Sequence, residues 1–292
     1  MFWGVLTAFL SAINMVVYKK VLVINAKNSI SRIGLYGYMC LLVVIMVWIF
    51  HMIIPQYIPL DFHAVKSTPL ILLGIILFSL LGIFASNLSQ YAYKNEKISV
   101  LTPFGETGRI ITIILGFFLF SGTSTLTFFF ALASALILVL ASINFRSFSF
   151  NRYTLMILWT GVIQSINTFI AGYTLVHISS FSFILADNIT ISLLVLVHLL
   201  IFERSTITDI PKKTTFPLFS NLFLNNLLWF VSYAITLYLM KELGIVTTSL
   251  LGMLTIVLTI VSSYIFFQDI PTRKDVATAV IIICCIVGGT IL

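Results

Sequence analysis

Ten apolar runs, each about twenty residues long, follow one another along the chain with almost no polar sequence between them. They cover about 2–18, 33–53, 69–93, 98–120, 124–144, 154–176, 180–202, 216–240, 245–267 and 275–292. A helix rises about 1.5 Å per residue, so each run matches a hydrocarbon layer about 30 Å thick. None shows the strict alternation of a barrel strand, and all exceed strand length, which predicts helices. The longest connections (19–32, 54–68 and 203–215) leave no room for a soluble domain. Connections such as 121–123 and 177–179 force their flanking helices to be antiparallel neighbours.

Composition supports this reading. Only 9% of the 292 residues are charged, against 60% that are apolar, too little charge to cover a water-soluble surface. A cytosolic enzyme, a secreted disulfide scaffold and a disordered chain are therefore excluded. The formal net charge of +7 is spread over short connections without a patch or run, so it does not point to nucleic acid. Counted by side, connections opposite the N-terminus carry thirteen Lys and Arg, and those on the N-terminal side carry only Lys66 and Lys241. The positive-inside rule then places both termini away from the cytoplasm. Cys40, Cys284 and Cys285 all lie in apolar runs without metal-ligand spacing and read as small packing residues.

A shift of 147 residues aligns the third-to-fifth runs with the eighth-to-tenth. Tyr91, Lys94, Ile98, Gly105, Thr112, Ile113, Phe120 and Thr125 meet Tyr238, Lys241, Ile245, Gly252, Thr259, Ile260, Phe267 and Thr272. Five helices per half is an odd number, so halves 1–146 and 147–292 would be inverted relative to each other in the membrane. Inverted repeats are typical of transporters, with the solute near the midplane between halves. The expected fold class is an all-α polytopic membrane protein of ten transmembrane helices in two inverted five-helix repeats.

Ionisable groups inside a span are penalised by about 2.5–3.5 kcal/mol each and so should face an interior. Glu106 and Arg109 share one face of the fourth run, and Asp187 lies in the seventh. The 147-residue shift sets Met253, Ile256 and Cys40 opposite them, so charge breaks the repeat. With all three ionised the midplane is net negative, which favours a cationic or zwitterionic solute, or a proton on one carboxylate. Uncharged polar residues form helical stripes: Thr7, Ser11, Asn14 and Tyr18; Ser86, Asn87 and Gln90; Gln164 and Asn167; Asn221, Asn225, Trp229 and Tyr233. Each stripe serves either interhelical hydrogen bonds or solute contact, and Trp229 and Tyr233 could stack on a ligand or hold a cation. Pro103, Gly105 and Gly108 are read as loosening the fourth helix. The four histidines have no metal-like partners, and phosphate loops, nucleophile elbows and zinc-protease motifs are absent. No cofactor and no enzymatic activity are expected.

The segments Tyr91-Ala-Tyr-Lys-Asn-Glu-Lys-Ile-Ser-Val100, Tyr238 to Thr248 and Ile265-Phe-Phe-Gln-Asp-Ile-Pro-Thr-Arg-Lys-Asp275, with Gly288-Gly289 and Trp3-Gly4, resemble the EamA-like members of the drug/metabolite transporter superfamily. In that family an acidic residue often sits near the position of Asp269; its first-half counterpart here is Gly122. The resemblance implies a multi-pass carrier in a bacterial inner membrane, acting as a monomer or homodimer on a small-molecule substrate by exchange or proton coupling. Family habit places the termini in the cytoplasm, against the charge count. A lipid or lipid-linked-sugar flippase is the alternative.

Overall fold

The computed structural model describes residues 2–63, 65, 68–95, 98–120, 123–142, 151–255, 257, 258, 261 and 273–291. Among them the regular structure is entirely helical. The helices are α1 (Phe2–Asn28), α2 (Arg32–Ile53), α3 (Pro69–Asn95), α4 (Ile98–Leu119), α5 (Thr125–Ser142), α6 (Arg152–Leu175), α7 (Ser180–Phe202), α8 (Arg204–Lys213), α9 (Phe216–Gly252) and α10 (Arg273–Ile291). Six are long and apolar enough to cross a membrane: α1, α2, α3, α6, α7 and α9. Shorter apolar stretches, Thr107–Leu119, Thr125–Leu140 and Val276–Thr290, lie within α4, α5 and α10.

Two features depart from the sequence reading. The helix expected to stop near residue 18 continues to Asn28. Val21, fully buried, joins Leu218 and Leu222 in one cluster, so the extension packs even though its outer side is polar. Ser29, at φ 56°, ends it, and the Asn25 side-chain amide donates to Ile30 O (3.1 Å). The connection 203–215 contains the ten-residue helix α8, which buries none of its own residues but packs beside α2 and α7. The eighth and ninth runs, by contrast, are divided as expected: the chain breaks at Gly244 (φ 79°, ψ 168°), and α9 denotes the helical segments on both sides of that break.

Helix ends follow local chemistry. Ser31, Asn151 and Ser179 cap α2, α6 and α7 with side-chain oxygens that accept orphan backbone N–H groups. Alternate connections gather at opposite ends of the bundle. At one end Arg32 lies over the Tyr91 ring (5.1 Å), and Tyr91 packs against Tyr153. At the other, Ser179 Oγ donates to Pro59 O (2.8 Å) and Asp61 N–H donates to Ser182 Oγ (2.6 Å). Each of these helices therefore reverses direction relative to the one before it.

The closest helix partnerships are α1 with α9, α3 with α6, α4 with α6, α5 with α10, α2 with α7, and α4 with α5. Facing outward, Leu41, Ile45, Ile49, Leu73, Phe84, Phe118, Leu193, Ile201 and Val280 are 40–75% exposed. An outer surface of this kind is costly in water and carries no such cost in lipid.

Candidate functional site

The closest backbone approach next to the candidate charges is where α4 crosses α6. A Cβ on Gly108 would lie 2.5 Å from Gly161 O and 2.8 Å from its Cα, so only glycine fits. Ser165 Oγ donates to Gly108 O (2.7 Å) and Thr112 Oγ1 donates to the same carbonyl (3.0 Å). Gly108 is thus a packing residue that fixes α4 against α6, not the loosening element its composition suggests. Small residues that let backbones meet are the usual device for joining helices in lipid.

This crossing places Arg109 beside a cavity of about 490 Å³ between α3, α4, α6 and α9. Gln164, Asn167 and Thr168 from α6 and Tyr233, Thr236, Thr248 and Ser249 from α9 supply most of its polar lining. Phe78, Ala171, Leu237 and Met240 contribute apolar wall. Thr168, Thr236 and Ser249 return their hydroxyl protons to carbonyls one turn back in their own helices. Among the described residues, two uncharged lining side chains have a polar atom without a partner. Asn167 is 8% exposed and its Nδ2 donates to Phe78 O (3.3 Å), while its Oδ1 accepts nothing. Thr248, 9% exposed, has a hydroxyl without a hydrogen-bond partner. A buried polar atom left in this state costs roughly 1–3 kcal/mol, so a ligand or water that completes it is favoured.

Of the residues singled out by sequence, Arg109, Gln164, Asn167 and Tyr233 meet in this cavity. Glu106 lies on α4, but its side chain is outside the described residues, as are Gly122 and Asp269 of the family-like motif. Asp187 and Trp229 line a second, smaller cavity of about 100 Å³ with Tyr36, Cys40, Asn188 and Asn226. The hydrogen bond to the Asp187 carboxylate comes from Ser79 Oγ (2.6 Å to Oδ1). The net-negative midplane expected from Glu106, Arg109 and Asp187 together therefore does not describe one cavity.

Asn87 and Gln90 sit toward the Arg32 end, where Asn87 joins Arg32, Tyr91, Asn95 and Glu203 around a third cavity of about 370 Å³. Gln90 Nε2 donates to Ser86 Oγ (3.1 Å). Asn225 is buried and its Nδ2 donates to Oδ1 of Asn226, its neighbour in α9 (3.4 Å); it is not among the lining of the large cavity. Asn14, on α1, is a partly buried group whose Oδ1 accepts nothing; it is not among the lining of the large cavity. Residues the sequence reading missed are Thr112, Ser165, Thr168, Thr236, Thr248 and Ser249. Their signal was a small hydroxyl one or two turns from a conspicuous polar group, as in Gln164/Thr168 and Arg109/Thr112.

No family model matches the chain, and no curated protein matches it. Among solved structures 27 chains match. One, described as "Crystal structure of protein", is similar at a TM-score of 0.65 and 12% identity, over 99% of this chain and 96% of that one. At that identity the likeness shows a shared fold alone.

Proposed function

We propose that the chain is a multi-pass membrane carrier that moves a small polar or amphipathic solute by alternating access about the large cavity, as EamA-like drug/metabolite transporters do. The observation that carries this reading is the large cavity itself. It lies along the middle of long apolar helices, where polar groups are costly, and yet it gathers Arg109, Gln164, Asn167, Tyr233 and Thr248 from three of them. Its volume suits a metabolite-sized ligand.

The helix partnerships support an inverted repeat. Exchanging the first five runs with the last five turns the α1–α9 pair into α6–α3 and returns α2–α7 and α5–α10 to themselves. The register agrees as well. The Ser11–Ser232 contact (2.6 Å), carried by the 147-residue shift, falls at Leu158 and Ala85. That lies within two residues of the register set by Asn167 and Phe78. Two such halves could rock about the cavity, with the solute stabilising one facing over the other. The outward apolar surface suits a bilayer, here a bacterial inner membrane.

The test is a thermal-shift screen of purified protein against amines, amino acids, nucleosides and phosphorylated sugars, followed by counterflow in proteoliposomes. A solute at a hundred times its Kd adds about 2.7 kcal/mol of stability. That stabilisation and the counterflow should both fall at least tenfold in apparent affinity in Arg109→Ala and Asn167→Leu. A hit that stabilises and exchanges equally well in both variants would show that the cavity is not its site.

A further inference from the structure

We propose that Asp187 is a proton-binding site, set in its own small cavity apart from the solute cavity and linked to it through α3 and through the Trp229–Tyr233 stack. Its role as the coupling carboxyl rests on the carrier reading above; its protonation does not.

The case begins with what surrounds the carboxyl. Asp187 is 3% exposed and sits a third of the way along α7. Ser79 Oγ donates to Oδ1 at 2.6 Å, which leaves Oδ2 to carry a proton. Groups facing it are Tyr36 and Cys40 from α2 and Tyr233 from α9, with Ser79 from α3. None of these is a cation. Among the described residues α6 and α8 bring it no charged partner either: on α8 Lys213 pairs with Asp209 (2.8 Å), and Arg204 and Lys212 are exposed.

The cavity beside it, about 100 Å³, has room for about three waters at ~30 Å³ each. Apart from Asp187 its polar lining is Tyr36, Asn188, Asn226 and the indole of Trp229. Asn226 is engaged at both ends, its Nδ2 donating to Met39 O (3.1 Å) and its Oδ1 accepting from Asn225 Nδ2 (3.4 Å), while Asn188 donates its Nδ2 to Ile184 O (2.8 Å) and offers only its Oδ1. Too few oxygens remain to replace the six or so around a metal cation, and no metal-ligand cluster exists among the described residues. A proton needs only one oxygen and a water to leave by.

Two connections run from this site to the solute cavity. In α3, Ser79 holds Asp187 while its neighbour Phe78 lines the large cavity and accepts from Asn167. In α9, Trp229 lines the small cavity and Tyr233 the large one, their rings stacked at 4.8 Å and 26°. Adding a proton to Asp187 removes a charge from the one side of both connections, and each ends on a residue that faces solute. The site also lies where α2 meets α7, the two helices that the repeat exchanges, and the residue matched to Asp187 by the shift, Cys40, lines the same cavity.

The experiment reads the proton directly, with no transported solute. In proteoliposomes, the full chain with Trp3, Trp48 and Trp159 changed to Phe keeps Trp229 as its only fluorophore of that type. Its emission and the infrared band of a protonated carboxyl are followed together across pH. Both should show one shared transition, lost in Asp187→Asn, restored in Asp187→Glu and shifted in midpoint by Ser79→Ala. Loss of solute exchange with this transition intact would sink the carrier reading and leave the proton site standing. A transition that persists in Asp187→Asn and disappears in Glu106→Gln, or a carboxyl band that does not change wherever the chain stays folded, overturns the proposal.

Discussion

Helix α4 and the stretch of α9 that follows Gly244 are brought opposite each other by the 147-residue shift of the sequence, and they differ in what they carry. In α4, Arg109 faces the large cavity and Gly108 is pressed against Gly161. At the C-cap of α9, the position matched to Glu106 is Met253, fully buried in a cluster with Ile113, Ala131, Leu138, Val246, Leu250 and Ile282, its sulfur accepting from Ser134 Oγ (2.9 Å). The first stretch brings a charge to the cavity, whereas the second brings only the hydroxyls of Thr248 and Ser249 and packs Met253 away from it. The difference teaches that the charge in the cavity comes from residues before 147, while most of its uncharged polar lining comes from residues after it. A charge is accepted only where a cavity already exists to receive it.

The harshest way to test that contrast is to give the packing stretch the charge its partner carries. Met253→Arg would put a guanidinium among apolar side chains with no cavity to enter. We expect a loss above about 4 kcal/mol, the range of an unpaired buried charge, seen as absent or aggregated protein by size-exclusion chromatography in detergent. A monodisperse Met253→Arg with near-wild-type thermal unfolding would mean that the second half can open a cavity of its own. A milder test concerns how the halves turn. Between its two matched helical segments α9 turns at Gly244. Its φ of 79° and ψ of 168° lie in a region open essentially to glycine, at a cost of about 1–3 kcal/mol for other residues. A Cβ there would touch nothing within 4 Å, so Gly244→Ala isolates the backbone term. Its thermal unfolding should fall by about 2 kcal/mol, and an unchanged Tm would show that α9 straightens without cost.

These contrasts were only partly legible in the sequence. Run length and breaker residues placed the apolar helices well: α7 is Ser180–Phe202 as expected, because Ser179 caps it and Glu203 ends it. Periodicity is silent about amphipathic pieces that pack by one edge, which is why α8 and the last ten residues of α1 read as connections. Helical stripes state which residues share a face, but not which faces meet. Asn221, Asn225, Trp229 and Tyr233 share one side of α9, yet Asn221 is half-buried and bonds within its own helix, Asn225 is core, Trp229 lines one cavity and Tyr233 another. Asp187 and Arg109 sit in separate cavities because the phase of α7 relative to α4 is set by three-dimensional packing. Thr248 was invisible because an isolated threonine in an apolar run usually satisfies itself on its own helix.

Thr248 supplies the smallest effect and the finest division between packing and chemistry. Its hydroxyl is buried and has no partner among the described residues, whereas Ser249 beside it donates to Ile245 O (2.8 Å). Thr248→Val keeps the shape and removes the unsatisfied group, so the empty protein should gain up to about 1 kcal/mol. If solute uses that hydroxyl, the same variant binds a screened ligand more weakly, so the gain in Tm and the loss in affinity appear together. The equivalent change at Ser249, to Ala, removes a satisfied local bond and should alter neither by more than about 0.5 kcal/mol. A Thr248→Val protein that is less stable than wild type would mean its hydroxyl is already completed inside the folded bundle, and the cavity would then have to recognise its ligand through Arg109 and Asn167 instead.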